Sequence, residues 1–136
     1  FRIVIKVLLL FWQKSIEIIT GISIPASAKI GHSFYIAHFG GIILNAKSVI
    51  GNNCNISQGV TLGISNSGNV GTPIISDNVF IGPNAGVFGN IEIGNNVTIG
   101  ANSVITKSIP SHTTVVSSII TVLDKDLSEN YIHNKY

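Results

Sequence analysis

Few side chains in this sequence can do chemistry. Four are histidines (His32, His38, His112 and His133), one is a cysteine (Cys54) and six are carboxylates (Glu17, Asp77, Glu92, Asp124, Asp126 and Glu129). An imidazole titrates near neutral pH, so it can move a proton or hold a metal ion. His32 falls in a turn and is read as solvent-facing, and His112 and His133 lie near the C-terminal end and are read as peripheral. That leaves His38, in the run AHFGGIIL, where two residues are inserted into an otherwise regular spacing. A surface histidine in a turn is the plain alternative, but it gives no reason for the insertion.

That regular spacing defines the elements that must carry His38. Aliphatic residues recur every six positions in three phased blocks: Ile24, Ile30, Ile36; Leu44, Ile50, Ile56, Leu62; and Ile75, Ile81, Val87, Ile93, Ile99, Ile105. A second buried-type residue follows most of them by four positions: Ala28, Ser48, Cys54, Val60, Val79, Ala85, Ile91, Val97, Ser103. Gly and Asn fill the places between, as in Gly51-Asn52-Asn53 and Gly94-Asn95-Asn96. A six-residue period fits neither an amphipathic helix nor an alternating strand. It fits a coil of short strands with one aliphatic side chain pointing inward per flat side, and with Gly and Asn supplying the left-handed corners. Three hexads close one triangular coil, and stacked coils make a one-dimensional core of a little over four coils. An ordinary β-sandwich does not account for so many aliphatics in phase.

The phase breaks twice. Between Ile36 and Leu44 the spacing is eight, and between Leu62 and Ile75 it is thirteen, where one hexad gives way to the loop GISNSGNVGTPI. Loops projecting from a rigid scaffold are a usual place for function.

Composition sets the outer limits. The 136 residues suffice for one domain with a real core. Hydrophobic residues make up 45% and charged residues 10%, so few charges that part of the exterior is expected to be buried in an oligomer. A net charge of +2 without a basic, aromatic-interleaved patch gives no support for nucleic acid. The lone cysteine excludes an internal disulfide framework and suits a reducing compartment. No signal peptide is evident, and the chain opens on Phe1 rather than Met, as a fragment or trimmed chain would. Three segments are expected: an apolar helix over 1–20, the coil over 21–123 and a polar tail over 124–136. The unbroken apolar run in the first, Val7 to Trp12, is far short of the ~20 residues a spanning helix needs. It is read as an amphipathic helix packed on the rest of the protein or on a partner subunit. The alternative is a helix resting on a membrane surface with Trp12, Lys6 and Lys14 near the headgroups.

The runs IPASAKIG, AHFGGIIL, VIGNNCNISQGVTLG and GNIEIGNNVTIGANSVITKSIPSHTTV resemble the catalytic domain of bacterial serine acetyltransferases and their relatives. Those relatives include O-acetyltransferases of capsular and other surface polysaccharides. The resemblance runs from about Thr20 to Val116, with both phase breaks where that family has them. It implies an all-β, single-stranded left-handed parallel β-helix, an exception to right-handed crossovers. It further implies a homotrimer with acetyl-CoA in a groove between subunits, and no metal. The family's active-site histidine lies in the bulged turn, which here is His38, and it would take the proton of the attacking hydroxyl. By position, the groove maps to Gly63, Pro83 and Ala101, with Lys107 placed to meet a CoA phosphate or simply to be a surface lysine.

Departures from the family pattern bear on the acceptor. Ala37 stands where the family has an Asp before the histidine, Ser23 where an Asp pairs with it, and Gly71-Thr72 where an Arg-His pair precedes the proline. The family's Gly-x-Pro-Ala-Arg stretch becomes Ser117-Ser118-Ile119-Ile120-Thr121. A zwitterion entering such a site would find its charges unpaired, which is costly when buried. The expectation is therefore an uncharged acceptor, most simply the hydroxyl of a sugar or surface polysaccharide. Serine O-acetylation is the alternative, and a non-catalytic scaffold is the alternative of another class. A γ-class carbonic anhydrase needs several histidine ligands, which the coils do not supply. The orienting partner of His38 stays open among Glu17, Asp77 and a backbone carbonyl. The expected setting is the cytoplasm, where acetyl-CoA is available, with docking at the membrane's inner face through the N-terminal helix.

Overall fold

The computed structural model describes residues 1–66 and 68–117. After helix α1 (Arg2–Thr20), the chain winds through short strands that stack into three flat faces. Face A stacks β1 (Ile22–Ser23), β4 (Ile42–Leu44), β7 (Thr61–Gly63), β10 (Gly86–Phe88) and β13 (Val104–Ile105). Face B stacks β2 (Lys29–Ile30), β5 (Val49–Ile50), β8 (Ile74–Ile75) and β11 (Glu92–Ile93). Face C stacks β3 (Tyr35–Ile36), β6 (Asn55–Ile56), β9 (Phe80–Ile81), β12 (Thr98–Ile99) and β14 (Thr114–Val115). Every strand pairing is parallel, and the architecture is the expected left-handed β-helix.

The aliphatics of the three phased blocks sort into three columns along the axis, each column drawing on more than one block. Leu44, Leu62, Val87 and Ile105 are in register on face A, Ile30, Ile50, Ile75 and Ile93 on face B, and Ile36, Ile56, Ile81 and Ile99 on face C. Middle-coil members such as Leu62, Ile81 and Ile93 are essentially sealed from solvent. Ile24, Ile30 and Ile36 are only partly buried, because the first coil has a neighbour on one side alone. Backbone hydrogen bonds run from each coil to the next, as in Ala37 N to Ile56 O, Ser57 N to Ile81 O and Gly82 N to Ile99 O.

The corners explain the asparagines. Asn53, Asn78, Asn84, Asn96 and Asn102 all sit at φ between 54° and 58°, the left-handed region that asparagine tolerates better than most residues. Along the B–C edge a side chain of each coil accepts a backbone N–H of the coil before it. His32 N donates to Asn52 Oδ1, Asn52 N to Asp77 Oδ1, Asp77 N to Asn95 Oδ1, and Asn95 N to Ser111 Oγ. Backbone groups freed by the turns are satisfied in this way without a long strand.

Within its own chain the helix packs little on the coil. α1 buries none of its residues, and Ile3, Phe11, Trp12, Ile18 and Ile19 are all largely exposed. Gly21 caps it in the left-handed conformation and turns the chain into β1, so the contact with the coil is concentrated at the helix's C-terminal end. There a groove of about 390 Å³ is lined by Trp12, Gln13, Ile16, Glu17, Ile22, Ile24 and Ala26. Among the described residues no helix is long and apolar enough to cross a membrane. The expected polar tail over 124–136, His133 and the stretch from Ser118 to Thr121 lie outside the described residues.

Two positions in one column should differ in cost. Ile81→Ala is expected to lose about 2–5 kcal/mol in a denaturant titration, as a fully packed site does, and Ile36→Ala distinctly less.

Candidate functional site

The insertion that carries His38 is a five-residue turn, 37–41, between β3 and β4, at the edge where face C meets face A. It fits because glycines meet there: a Cβ on Gly21 would fall 3.2 Å from Gly41 N and 3.3 Å from Gly40 Cα. Gly21 O accepts Ile42 N, and Gly40 O accepts Gly59 N, so the turn is tied to the end of α1 on one side and to the next coil on the other. His38 itself is exposed.

The same edge carries two other expected residues. Pro83 and Ala101 each stand two residues after an inward aliphatic of face C, Ile81 and Ile99, and are stacked on successive levels, while His38 projects in the inserted turn on the same edge. Gln58, two residues after Ile56, continues the row between Pro83 and Gly40 of the inserted turn. Sequence reading passed over Gln58, although its offset from Ile56 was available to find it.

Gly63 and Lys107 are elsewhere. Gly63 ends β7 and Lys107 follows β13, which places both where face A meets face B. A Cβ on Gly63 would fall 2.6 Å from Phe88 Cδ1, and one on Gly86 2.5 Å from Phe88 Cε2, so the Phe88 ring fills the room above both. Lys107 is exposed beside a shallow hollow of about 160 Å³ lined by Val104, Ile105, Thr106 and Ile109. Within one chain, face A separates the A–B edge from the C–A edge.

The second phase break also springs from the A–B edge. The loop folds back through an antiparallel bridge between Ser65 and Gly71 and docks on the next coil, where Asn90 N donates to Asn69 O. Gly71 has φ 143°, and a Cβ there would lie 2.8 Å from Asn90 Cβ. At its end Thr72 Oγ1 donates to Lys47 O, and Pro73 is buried.

Of the groups considered as partners for His38, Asp77 stands on the B–C edge, held by Asn52 N in the corner ladder. Glu17 lies in the last turn of α1, where Lys14 Nζ at 2.6 Å and Gln13 Nε2 at 3.1 Å donate to its carboxylate. Those contacts, chiefly the Lys14 hydrogen bond, hold its pKa below the ordinary 4.5. His32 and His112 share the B–C edge, away from His38. The Cys54 thiol is buried, donates to Ser76 O, and is pushed up in pKa by that burial. Among the described residues no group of three or more His, Cys, Asp or Glu could hold a metal ion.

Comparison with known proteins agrees with this fold. Residues 72–107 match the family model for the bacterial transferase hexapeptide, six repeats. A serine acetyltransferase of Staphylococcus aureus is 48% identical over 98 residues, 71% of this chain and 46% of its own length. Residues 72–107 thus carry the repeat of the hexapeptide transferases, the family that this chain resembles. Its coil superposes on a Neisseria gonorrhoeae serine acetyltransferase in complex with serine at a TM-score of 0.75 and 40% identity, covering 83% of this chain and 46% of that one. An Entamoeba histolytica serine acetyltransferase in complex with cysteine gives 0.74 and 39%, covering 88% and 43%. A serine acetyltransferase in complex with CoA gives 0.72 and 39%, covering 80% and 45%. The chain thus spans about half the length of the relatives it matches.

Two measurements test this geometry of the hexapeptide chain. Gly71→Arg should lose roughly 1–3 kcal/mol in denaturant, because an L residue is strained there and meets Asn90. For Glu17, a lowered folded pKa means that its contribution is present above the unfolded value and lost as pH falls through the folded one. Glu17→Gln should therefore flatten the stability profile below about pH 4.5 and leave its shape at neutral pH unchanged.

Proposed function

We propose that the chain is the acyltransferase part of an acetyl-CoA-dependent O-acetyltransferase, with His38 as the general base. The observation that carries this reading is the position of His38. It heads an exposed edge shared with Pro83 and Ala101, in a coil that superposes on a CoA-bound relative. In the reaction the imidazole takes the proton of the acceptor hydroxyl as its oxygen attacks the thioester carbonyl. The C–S bond then breaks, and the proton returns from the imidazolium to the leaving thiolate, giving the acetyl ester and free CoA.

Gly63 and Lys107 do not share an edge with His38, which favours a site made by two copies. In this reading the C–A edge of one copy faces the A–B edge of its neighbour, and a closed ring of three satisfies every edge of this kind. The backbone at Pro83 and Ala101 then lies along one wall of the pantetheine arm. The Phe88 ring over Gly63 forms the other wall, and Lys107 stands near the phosphates. Acetyl-CoA as donor puts the reaction in the cytoplasm.

Serine is the acceptor we place first, on the names of the relatives. This reverses the order reached from residue chemistry alone, which put a sugar hydroxyl ahead. The second reading, a neutral hydroxyl such as a sugar's, is favoured by one specific observation. Ala37, Phe39, Gly40 and Gly41 around His38, and residues 64–72 of the loop, carry no charge. A bound amino acid would need its ammonium and carboxylate met by groups from elsewhere.

Release of thiol from acetyl-CoA, with L-serine or with neutral glycosides, separates these readings. Acceptor-dependent release is expected, and His38→Ala should lower kcat by roughly 10²–10⁴. Release no faster than hydrolysis with every acceptor would leave a non-catalytic scaffold. Sedimentation should give three copies per particle.

A further inference from the structure

One cation has no role in the site described so far. Between residues 21 and 117 the coil carries five formal charges: Lys29, Lys47, Asp77, Glu92 and Lys107. Lys29 and Glu92 begin strands of face B, and Asp77 belongs to the B–C edge. Lys47 and Lys107 alone lie in the segments that join face A to face B. Lys107 follows β13 and Lys47 follows β4, three levels lower, a drop of about 14 Å at ~4.8 Å per level. Lys47 is exposed, and among the described residues no carboxylate pairs with it. Its backbone is held on both sides: Lys47 N donates to Asn45 Oδ1, and Lys47 O accepts Thr72 Oγ1 at the root of the loop. An ammonium group thus starts from a fixed base, beside a loop that has no charge of its own.

We infer that Lys47 is the acceptor-binding cation at the His38 of a neighbouring copy, and that the acceptor carries a carboxylate close to its hydroxyl. The inference rests on the two-copy site proposed above. The His38 turn leads into β4 and the Lys47 corner leads out of it, so the two stand within about one level of each other. In a single copy face A lies between them. A ring axis that runs along the stack leaves heights unchanged. Bringing the C–A edge of one copy against the A–B edge of the next therefore sets Lys47 level with His38. Lys107 of that same edge is three levels away, at the end given to the donor's phosphates, so the edge offers one cation to each substrate. With the turn 37–41 and the loop 64–72 uncharged, Lys47 is the counter-ion that a carboxylate would meet there. The hydrogen bonds it gives to an anion are charge-assisted, and a neutral acceptor forgoes them.

Two pairs of acceptors that differ chiefly in a carboxylate test this with the full chain: L-serine against L-serinamide, and methyl glucuronide against methyl glucoside. Thiol release should favour the carboxylate member of whichever pair is turned over by roughly tenfold in kcat/KM, the worth of a hydrogen bond to a charged group. Lys47→Gln should abolish that preference, raising KM for the carboxylate acceptor far more than KM for acetyl-CoA. Lys47→Arg should keep most of the preference, and Lys107→Gln should raise KM for acetyl-CoA instead. Coexpressed His38→Ala and Lys47→Gln copies should recover part of the preference lost in Lys47→Gln alone, because some sites then join an intact His38 to an intact Lys47 of the other copy. No preference in the parent, a preference that survives Lys47→Gln, or no recovery in the mixed particles overturns the inference. If the parent acetylates none of the four compounds, the catalytic reading fails, and calorimetry decides the rest. Carboxylate members that bind the parent but not Lys47→Gln uphold the anion site, and equal or absent binding overturns it.

Discussion

Everything in this molecule depends on stacking one coil on the next with aliphatic side chains in register. Neither half of that constraint suffices alone. A strand of two residues is too short to hold itself, and a column of isoleucines with unpaired backbone beside it would leave buried polar groups without partners. Together they give a rigid rod in which each level contacts only its neighbours. Residues separated by a full coil in sequence are thereby fixed on adjacent levels, and that is how Gln58, Pro83 and Ala101 form a row on the edge from which the His38 turn projects.

The same rigidity explains why the two irregular segments are tolerated. Each leaves the coil at a corner and returns to it in register: Ile43 N reaches Val60 O after the His38 turn, and Ile74 N reaches Ile91 O after the loop. The insertions differ in what they present. The short one exposes an imidazole, while the long one folds onto Asn90 with glycine at its tightest point. They leave from different edges of face A, so a site that uses both draws on two copies. The low charge content fits that picture, since a surface to be covered by a neighbour is better left without charges to desolvate.

Much of this was legible beforehand. The thirteen in-phase aliphatics fixed the three columns, and the breaks at 36–44 and 62–75 located both projections before any coordinate was known. Side-chain partners were harder. Asp77 was a reasonable candidate for His38 until the corner ladder placed it on another edge. Gly63 was mapped to the groove by position, and only the structure shows Phe88 lying over it. The helix was expected to find a surface on the coil or on a partner subunit, and among the described residues it meets the coil at its C-terminal end.

The sequence by itself determined the coil, its count of levels and the place of His38. A strict six-residue period leaves the backbone only one way to bury its aliphatics. Tertiary structure alone decided which residues stand together on an edge and which oxygen is left unpaired at Gln58. Those outcomes depend on side-chain directions and on contacts between levels, and a period along the chain constrains neither.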